Sequence, residues 1–260
     1  SGNHEAADGS RGPARHSRPT RHAGLRMSAI GAAVAIWHRG GPAVRLRIDR
    51  MHTLYYAPGA ASLLVHWLLI ELDVPHALHK VDTAAREQKS AAYLALNPNG
   101  VVPTLVVDGQ PRFEAAALAM MLAETRPDAG LAPAVDDPRR GEFLQWMFHL
   151  ANAVQPLFRI WWYPGEAAGD AQADSARELV RPRIEAAWDR LDAHLAAHGP
   201  HLLGERLSVA DFYLVMLMRW SRGMPKPAHE WTHLGALAQR LKARPSFKTL
   251  YEREGLTEWA

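Results

Sequence analysis

"NPNGVVPTL", Asn97 to Leu105, is the most informative stretch of the chain. A proline directly ahead of a β-rich run cannot donate to a sheet ladder at its own position. Val102-Pro103 therefore marks an edge, a bulge or a cis bond. A cis bond would turn the backbone N–H and C=O of Val102 outward, where they can pair with an extended ligand as an added strand does. A plain turn before an edge strand is the alternative.

The flanks set the architecture around this stretch. Upstream, Thr53 to Tyr56 reads as strand, Ser62 to Glu71 as helix, Ala77 to Val81 as strand and Ser90 to Leu96 as helix. Downstream, Thr104 to Val107 is β-rich, Asp108-Gly109 is a hairpin turn into Arg112-Phe113, and an Ala, Leu and Met rich helix runs from Glu114 to about Thr125. The order is βαβαββα. After a linker at 131–135 the pattern turns helical: Pro138 to Trp162, Ala171 to His198, Val209 to Arg222, Leu234 to Ala243 and Ser246 to Glu254. Two domains are expected, an α/β domain over 51–130 and an all-helical one over 136–260.

Composition narrows the function. Residues 1–50 hold nine Arg against Glu5, Asp8 and Asp49, a net of +6, which leaves −3 for 51–260 out of the total of +3. The body thus gives no reason to expect nucleic acid as a partner. Segment 1–50 is rich in Arg, Gly, Ala and Pro without amphipathic period, and reads as a disordered or non-native extension ahead of Met51. Its apolar run Met27 to Trp37 has the length of a signal-peptide core but the wrong flanks, and no run is long enough for a membrane span. The chain has no cysteine, which excludes disulfides, thiolate-bound metal and a cysteine nucleophile, and fits a reducing, cytoplasmic setting.

Helix punctuation is legible. His198-Gly199-Pro200 closes a helix, with a left-handed Gly199 expected. In "LSVAD", Leu207 to Asp211, Ser208 is an N-cap and Asp211 its capping-box partner, a structural device. His194, His198 and His201 have the look of a metal trio. A helix C-terminus favours histidine through its dipole, however, and no acid stands beside them, so no metal is expected.

Three further features bear on chemistry. The strand ending at Tyr56 turns through Ala57-Pro58-Gly59-Ala60-Ala61 straight into a helix at Ser62, a common way to build a small-molecule corner. Glu114 opens a helix, where the dipole favours a carboxylate; such a carboxylate also suits a ligand ammonium while the free amides suit a ligand carboxylate. Phe158, Arg159, Trp161, Trp162 and Tyr163 cluster late in the first long helix of the second domain.

Together the βαβαββα order, the Pro-Gly-Ala-x-Ser corner, "NPNGVVPTL", "FEAAAL" at 113–118 and "LSVADFYL" at 207–214 resemble the cytosolic glutathione S-transferases, with the bacterial beta class as the nearest likeness. The resemblance spans essentially all of 51–260. It implies the glutathione S-transferase fold, a thioredoxin-like α/β domain followed by an all-α domain. It also implies a homodimer, glutathione as co-substrate, a detoxification role, and an acceptor site facing the helical domain.

Carried over by position, Pro103 is the family's cis-proline and Val102 pairs with the cysteinyl part of glutathione. Glu114 receives the γ-glutamyl amine, Ala115 offers a backbone N–H to the γ-glutamyl carboxylate, and Asn99 approaches the glycyl end. Gln155 and Trp162 fall at the acceptor site, where Trp162 would form an aromatic wall for an apolar electrophile.

The beta class has a cysteine where this chain has Ala61 and a histidine where it has Gln155. Glutathione brings its own thiol, and the protein need only ionise it. Lowering a thiol pKa of about 8.5 by two units takes roughly 2.7 kcal/mol, the yield of one or two charge-assisted hydrogen bonds. Ser62 is the first candidate donor, Tyr56 the second, and backbone amides near Ala61 the third. The resemblance therefore implies a transferase conjugating glutathione to small hydrophobic electrophiles. The alternatives are a glutathione-dependent isomerase or dehalogenase, or a non-catalytic family member that binds glutathione or another ligand.

Overall fold

The computed structural model describes residues 51–259; the reading of 1–50 as a disordered or non-native extension, with its Met27–Trp37 run, lies outside them, as does Ala260. β1 (His52–Tyr56) runs into α1 (Ser62–Glu71), β2 (His76–Lys80), the short α2 (Ala91–Leu94), then β3 (Thr104–Val107), β4 (Gln110–Phe113) and α3 (Ala115–Glu124). The sheet order is β2-β1-β3-β4, with β1 parallel to β2 and antiparallel to β3. Thr53 lies opposite Ala77 on one side and Val106 on the other. Asp108 and Gly109 both take positive φ, 51° and 79°, as a two-residue turn matched to strand twist requires, so β3 and β4 form the expected hairpin.

α1 is apolar around its whole circumference: Leu63, Leu64, Val65, Trp67, Leu68 and Leu69 are all buried. A helix of that kind must be covered on every side. Here β1 and α3 cover one side, and two helices from the second half of the chain, α8 (Val209–Trp220) and α10 (Pro245–Glu254), cover the other. Trp67 lies at the seam, its ring 4.9 Å from Phe212 and its Nε1 donating to Ser246 Oγ at 2.9 Å.

The second half is helical. α7 (Ala173–His198) buries a stripe of Val180, Ile184, Trp188, Leu191 and Leu195 at three- and four-residue spacing. The long helix expected over 138–162 is instead α4 (Arg140–His149), a π-helical turn at Leu150–Val154 and α5 (Gln155–Trp162). Pro156 explains the break: it has no N–H to donate and its ring crowds the carbonyl four residues earlier, so the helix widens ahead of it.

A five-residue α6 (Pro164–Ala168) follows α5, and α9 (Thr232–Lys242) precedes α10. Gly199 ends α7 at φ −51°, not in the left-handed region expected of it. Glycine serves there because a Cβ would run into the carbonyl of Leu195.

Candidate functional site

A cleft of about 980 Å³ lies between the β1–α1 corner and the α5–α6 segment. Its floor is the corner itself, Ala57 to Ala61. One wall carries Gly100, Val101 and Val102, and the other carries Gln155, Phe158, Trp162 and Trp220.

The corner is held from the helical half. Gly59 has φ 68°, and its N–H donates to Glu254 Oε2 at 2.8 Å. Its carbonyl accepts from Trp220 Nε1 at 2.9 Å and from Arg219 at 3.5 Å. The other carboxylate oxygen of Glu254 meets His66 Nδ1 at 2.8 Å, a pair with both side chains fully buried. Packed this way, the turn leaves two amides, those of Ala61 and Ser62, with no hydrogen-bond partner among the described residues. They stand at the start of α1, where the helix dipole adds positive potential.

The two hydroxyl candidates face elsewhere. Ser62 is fully buried; its Oγ donates to Ala57 O at 3.0 Å and accepts from Ala57 N at 3.2 Å, so its proton is committed within the turn. Tyr56 is buried against His66, ring centroids 5.7 Å apart, and is not among the cleft-lining residues. Burial, and secondarily the charge of Glu254, push its phenol above the ordinary range, so it keeps its proton.

The Val102–Pro103 bond is cis. Pairing between β1 and β3 stops at Tyr55 and Thr104, and Val102 lies on the cleft wall with no backbone partner among the described residues. The turn before it is fixed by buried Asn97, whose Nδ2 donates to Val101 O at 2.8 Å and whose Oδ1 accepts from Asn99 N at 3.1 Å. Gly100 is needed at φ 59°, where a Cβ would stand 2.9 Å from the carbonyl of Gln88. Asn99 is exposed, is not a lining residue, and accepts from Lys89 Nζ at 3.2 Å through its own carbonyl.

Glu114 occupies the N-cap of α3 at φ 74°, ψ 106°, with its side chain exposed and no capping bond. A non-glycine residue there is strained, and strain of this kind collects at functional sites. Ala115 begins α3 and is buried. Neither residue lines the cleft proper, although the charge of Glu114 reaches Tyr213, whose phenol burial pushes above its ordinary range. The Tyr213 hydroxyl donates to Gln155 Oε1, which links that charge to the cleft wall. Trp162 stands half exposed on the same wall.

Sequence reasoning noted Arg159 and missed the other cations. Arg86 and Lys89 line the cleft beside Val102, and Arg159 and Arg222 line it on the helical side. The polar run Arg86 to Lys89 was the available signal. Arg159 forms a bidentate pair with Glu166, both contacts 2.6 Å, and lies 4.3 Å from the ring of Tyr163. His194 and His198 stack on each other and bond to the carbonyls of Leu202 and His194.

Two family models match the chain, the glutathione S-transferase N-terminal domain over 61–125 and the C-terminal domain over 174–253. The Xanthomonas campestris protein named Glutathione S-transferase GST-4.5 is 32% identical over 204 residues, 78% of this chain and 98% of that one. A glutathione transferase homolog from sulfitobacter, solved with bound glutathione, superposes with a TM-score of 0.72 at 28% identity over 80% of this chain and 99% of that one. The beta-class glutathione S-transferase of Sphingomonas chungbukensis superposes at 0.70 and 29% identity, over 79% and 100%. With both halves of the fold matched in order and a named relative covered almost end to end, this chain belongs to the glutathione S-transferase family.

Proposed function

We propose that the protein is a glutathione transferase: it binds glutathione along Val102, holds its sulfur as thiolate at the start of α1, and delivers it to a small electrophile against Trp162. The observation that carries this reading is the pair of free backbone groups at Val102 facing the same cleft as Ala61. An extended peptide laid on Val102 as an added strand satisfies both. The γ-glutamyl ammonium then meets Glu114, and its carboxylate meets the first amides of α3 at Ala115. The glycyl carboxylate lies toward Asn99, with Lys89 and Arg86 adding charge. The protein acts as a cytoplasmic homodimer, an expectation carried by its family.

Thiolate formation falls to the amide of Ala61, which lines the cleft at the start of α1. An N–H donor on a sulfur anion, with the helix dipole behind it, supplies the few kcal/mol required. Ser62 braces the turn through Ala57, and Tyr56 takes no part. The conjugation forms one C–S bond; the thiol proton passes to water, and in a substitution the leaving group departs with its bonding pair.

The test is thiolate absorbance of bound glutathione against pH in the wild type, Ser62→Ala and Tyr56→Phe. A thiol pKa well below the free value that survives both substitutions assigns the work to the amide. Its return to the free value in one variant assigns it to that hydroxyl. Binding with no shift in the wild type would make the protein a glutathione-binding family member without transferase chemistry.

A further inference from the structure

The cleft carries four cations, Arg86, Lys89, Arg159 and Arg222, against one carboxylate, Glu166. Glu166 is fully engaged by Arg159. Arg86 and Lys89 stand on the Val102 wall and answer the charge of glutathione itself. Arg222 stands on the opposite wall, just past α8, whose Trp220 bonds the corner carbonyl at Gly59.

Arg222 is poorly neutralised. It shares a single oxygen, Glu258 Oε1, with Arg219, which holds that oxygen at 3.0 Å against 3.4 Å for Arg222. Arg219 is itself a buried structural cation, bonded to Tyr251 and to Gly59. Two guanidinium groups on one carboxylate leave one positive charge over, and that charge opens onto the cleft. Burial and the like charge of Arg219 both disfavour the protonated form of Arg222, as expected for a cation short of a partner. Its guanidinium also donates to the carbonyl of Arg219 at 3.3 Å, in the last turn of α8, so the negative end of that helix dipole offers it partial charge but no second carboxylate. Its guanidinium carbon lies 5.3 Å from the ring centre of Trp162, so planar aromatic surface and cation face the acceptor space together.

We propose that the preferred acceptor is a planar, aromatic electrophile bearing a carboxylate, and that Arg222 selects it by pairing with that carboxylate while the ring lies against Trp162. A guanidinium recognises a carboxylate through two parallel N–H bonds, and an apolar pocket alone would not discriminate in this way. The proposal rests on the transferase reading and refines its substrate.

The test uses the full chain, saturating glutathione and two acceptors that differ in one charge, 4-chloro-3,5-dinitrobenzoate and its methyl ester. In each, the sulfur anion adds at the chlorine-bearing carbon, a C–S bond replaces the C–Cl bond, and chloride leaves with the bonding pair. Each kcat/KM is divided by the rate of the same acceptor with glutathione in buffer, which removes intrinsic reactivity. The wild type is expected to favour the acid at least tenfold, Arg222→Gln to bring the ratio close to one, and Arg222→Lys to fall between them.

A second measurement needs no variant: 3,5-dinitrobenzoate should compete with the ester in the wild type at least tenfold better than 3,5-dinitrobenzamide. Equal handling of acid and ester, or equal inhibition by benzoate and benzamide, overturns the selectivity while leaving the transferase intact. If neither acceptor turns over and the bound thiol pKa is unshifted, the transferase reading itself falls and the proposal falls with it.

Discussion

Gly59 is where side chains of the helical half hydrogen-bond the backbone of the sheet-bearing half, and it tolerates no side chain. A Cβ would stand 2.6 Å from one guanidinium nitrogen of Arg219, at a φ of 68° that alanine adopts only at a cost of about 1–2 kcal/mol. Arg219 cannot retreat freely, because Tyr251 and Glu258 hold it. Gly59→Ala should therefore lower unfolding free energy in urea by about 2 kcal/mol or more and weaken glutathione binding. A neutral result on both measurements would show that Arg219 moves at little cost. Glu254→Ala removes the acceptor of Gly59 N–H and the partner of a fully buried histidine, and should cost roughly 3 kcal/mol or more by the same assay. At this scale the sequence showed the turn at 57–61 and not which of its atoms are already bonded. Ser62 is a suitable donor by type, but Ala61 holds the cap position and the Ser62 hydroxyl folds back on Ala57. The grip by Glu254 and Trp220 arises from residues 195 and 161 positions away, and no local pattern encodes it.

Among the elements, the start of α8 carries a titratable device. Asp211 is fully buried, and its carboxyl accepts from Ser208 N and Leu202 N, both at 2.8 Å. Burial outweighs those bonds and pushes its pKa from 3.8 up to about 6. A carboxyl raised in the folded state contributes stability that is fully present below about 3.8 and lost as pH rises through about 6. The rise is worth roughly 3 kcal/mol, at about 1.4 kcal/mol per pH unit. The stability of the wild type relative to Asp211→Asn, from urea unfolding at pH 4 and pH 7, should thus be greater at pH 4 by about 2–3 kcal/mol. A difference that is flat or reversed between the two pH values would mean that the N–H donors win and the buried carboxylate is ionised throughout. This box was legible from "LSVAD", as the hairpin was from Asp108-Gly109, because each depends on bonds between near neighbours. The break of the 138–162 helix was not anticipated, although Pro156 was in plain sight; a proline's effect depends on how far the preceding turn can widen. Trp162, expected at an acceptor site, lies on the cleft wall, while the four cations of the cleft come from three separate segments and left no periodic trace.

Across the whole molecule, α1 is shared property. It is covered by β1 and α3 on one side and by α8 and α10 on the other. Its Trp67 bonds to Ser246, and its Glu71 takes both Arg244 and Ser246. A sheet-bearing half that lost this cover would expose the α1 face that carries Trp67, at about 1.5–3 kcal/mol for each large apolar side chain uncovered. The halves should therefore unfold together. Tryptophan fluorescence, which reads the seam at Trp67 as well as the helical core at Trp188, should trace the same urea transition as far-ultraviolet circular dichroism. Glutathione extends the argument. Its proposed contacts lie on the sheet-bearing half, yet a ligand at about 100 times its Kd should add about 2.7 kcal/mol to the stability of everything that unfolds with its site. If α1 couples the halves, both probes shift to higher urea by the same amount. If only one probe moves, or if an early transition separates, the helical half unfolds independently and the clamp on Gly59 opens before the core melts.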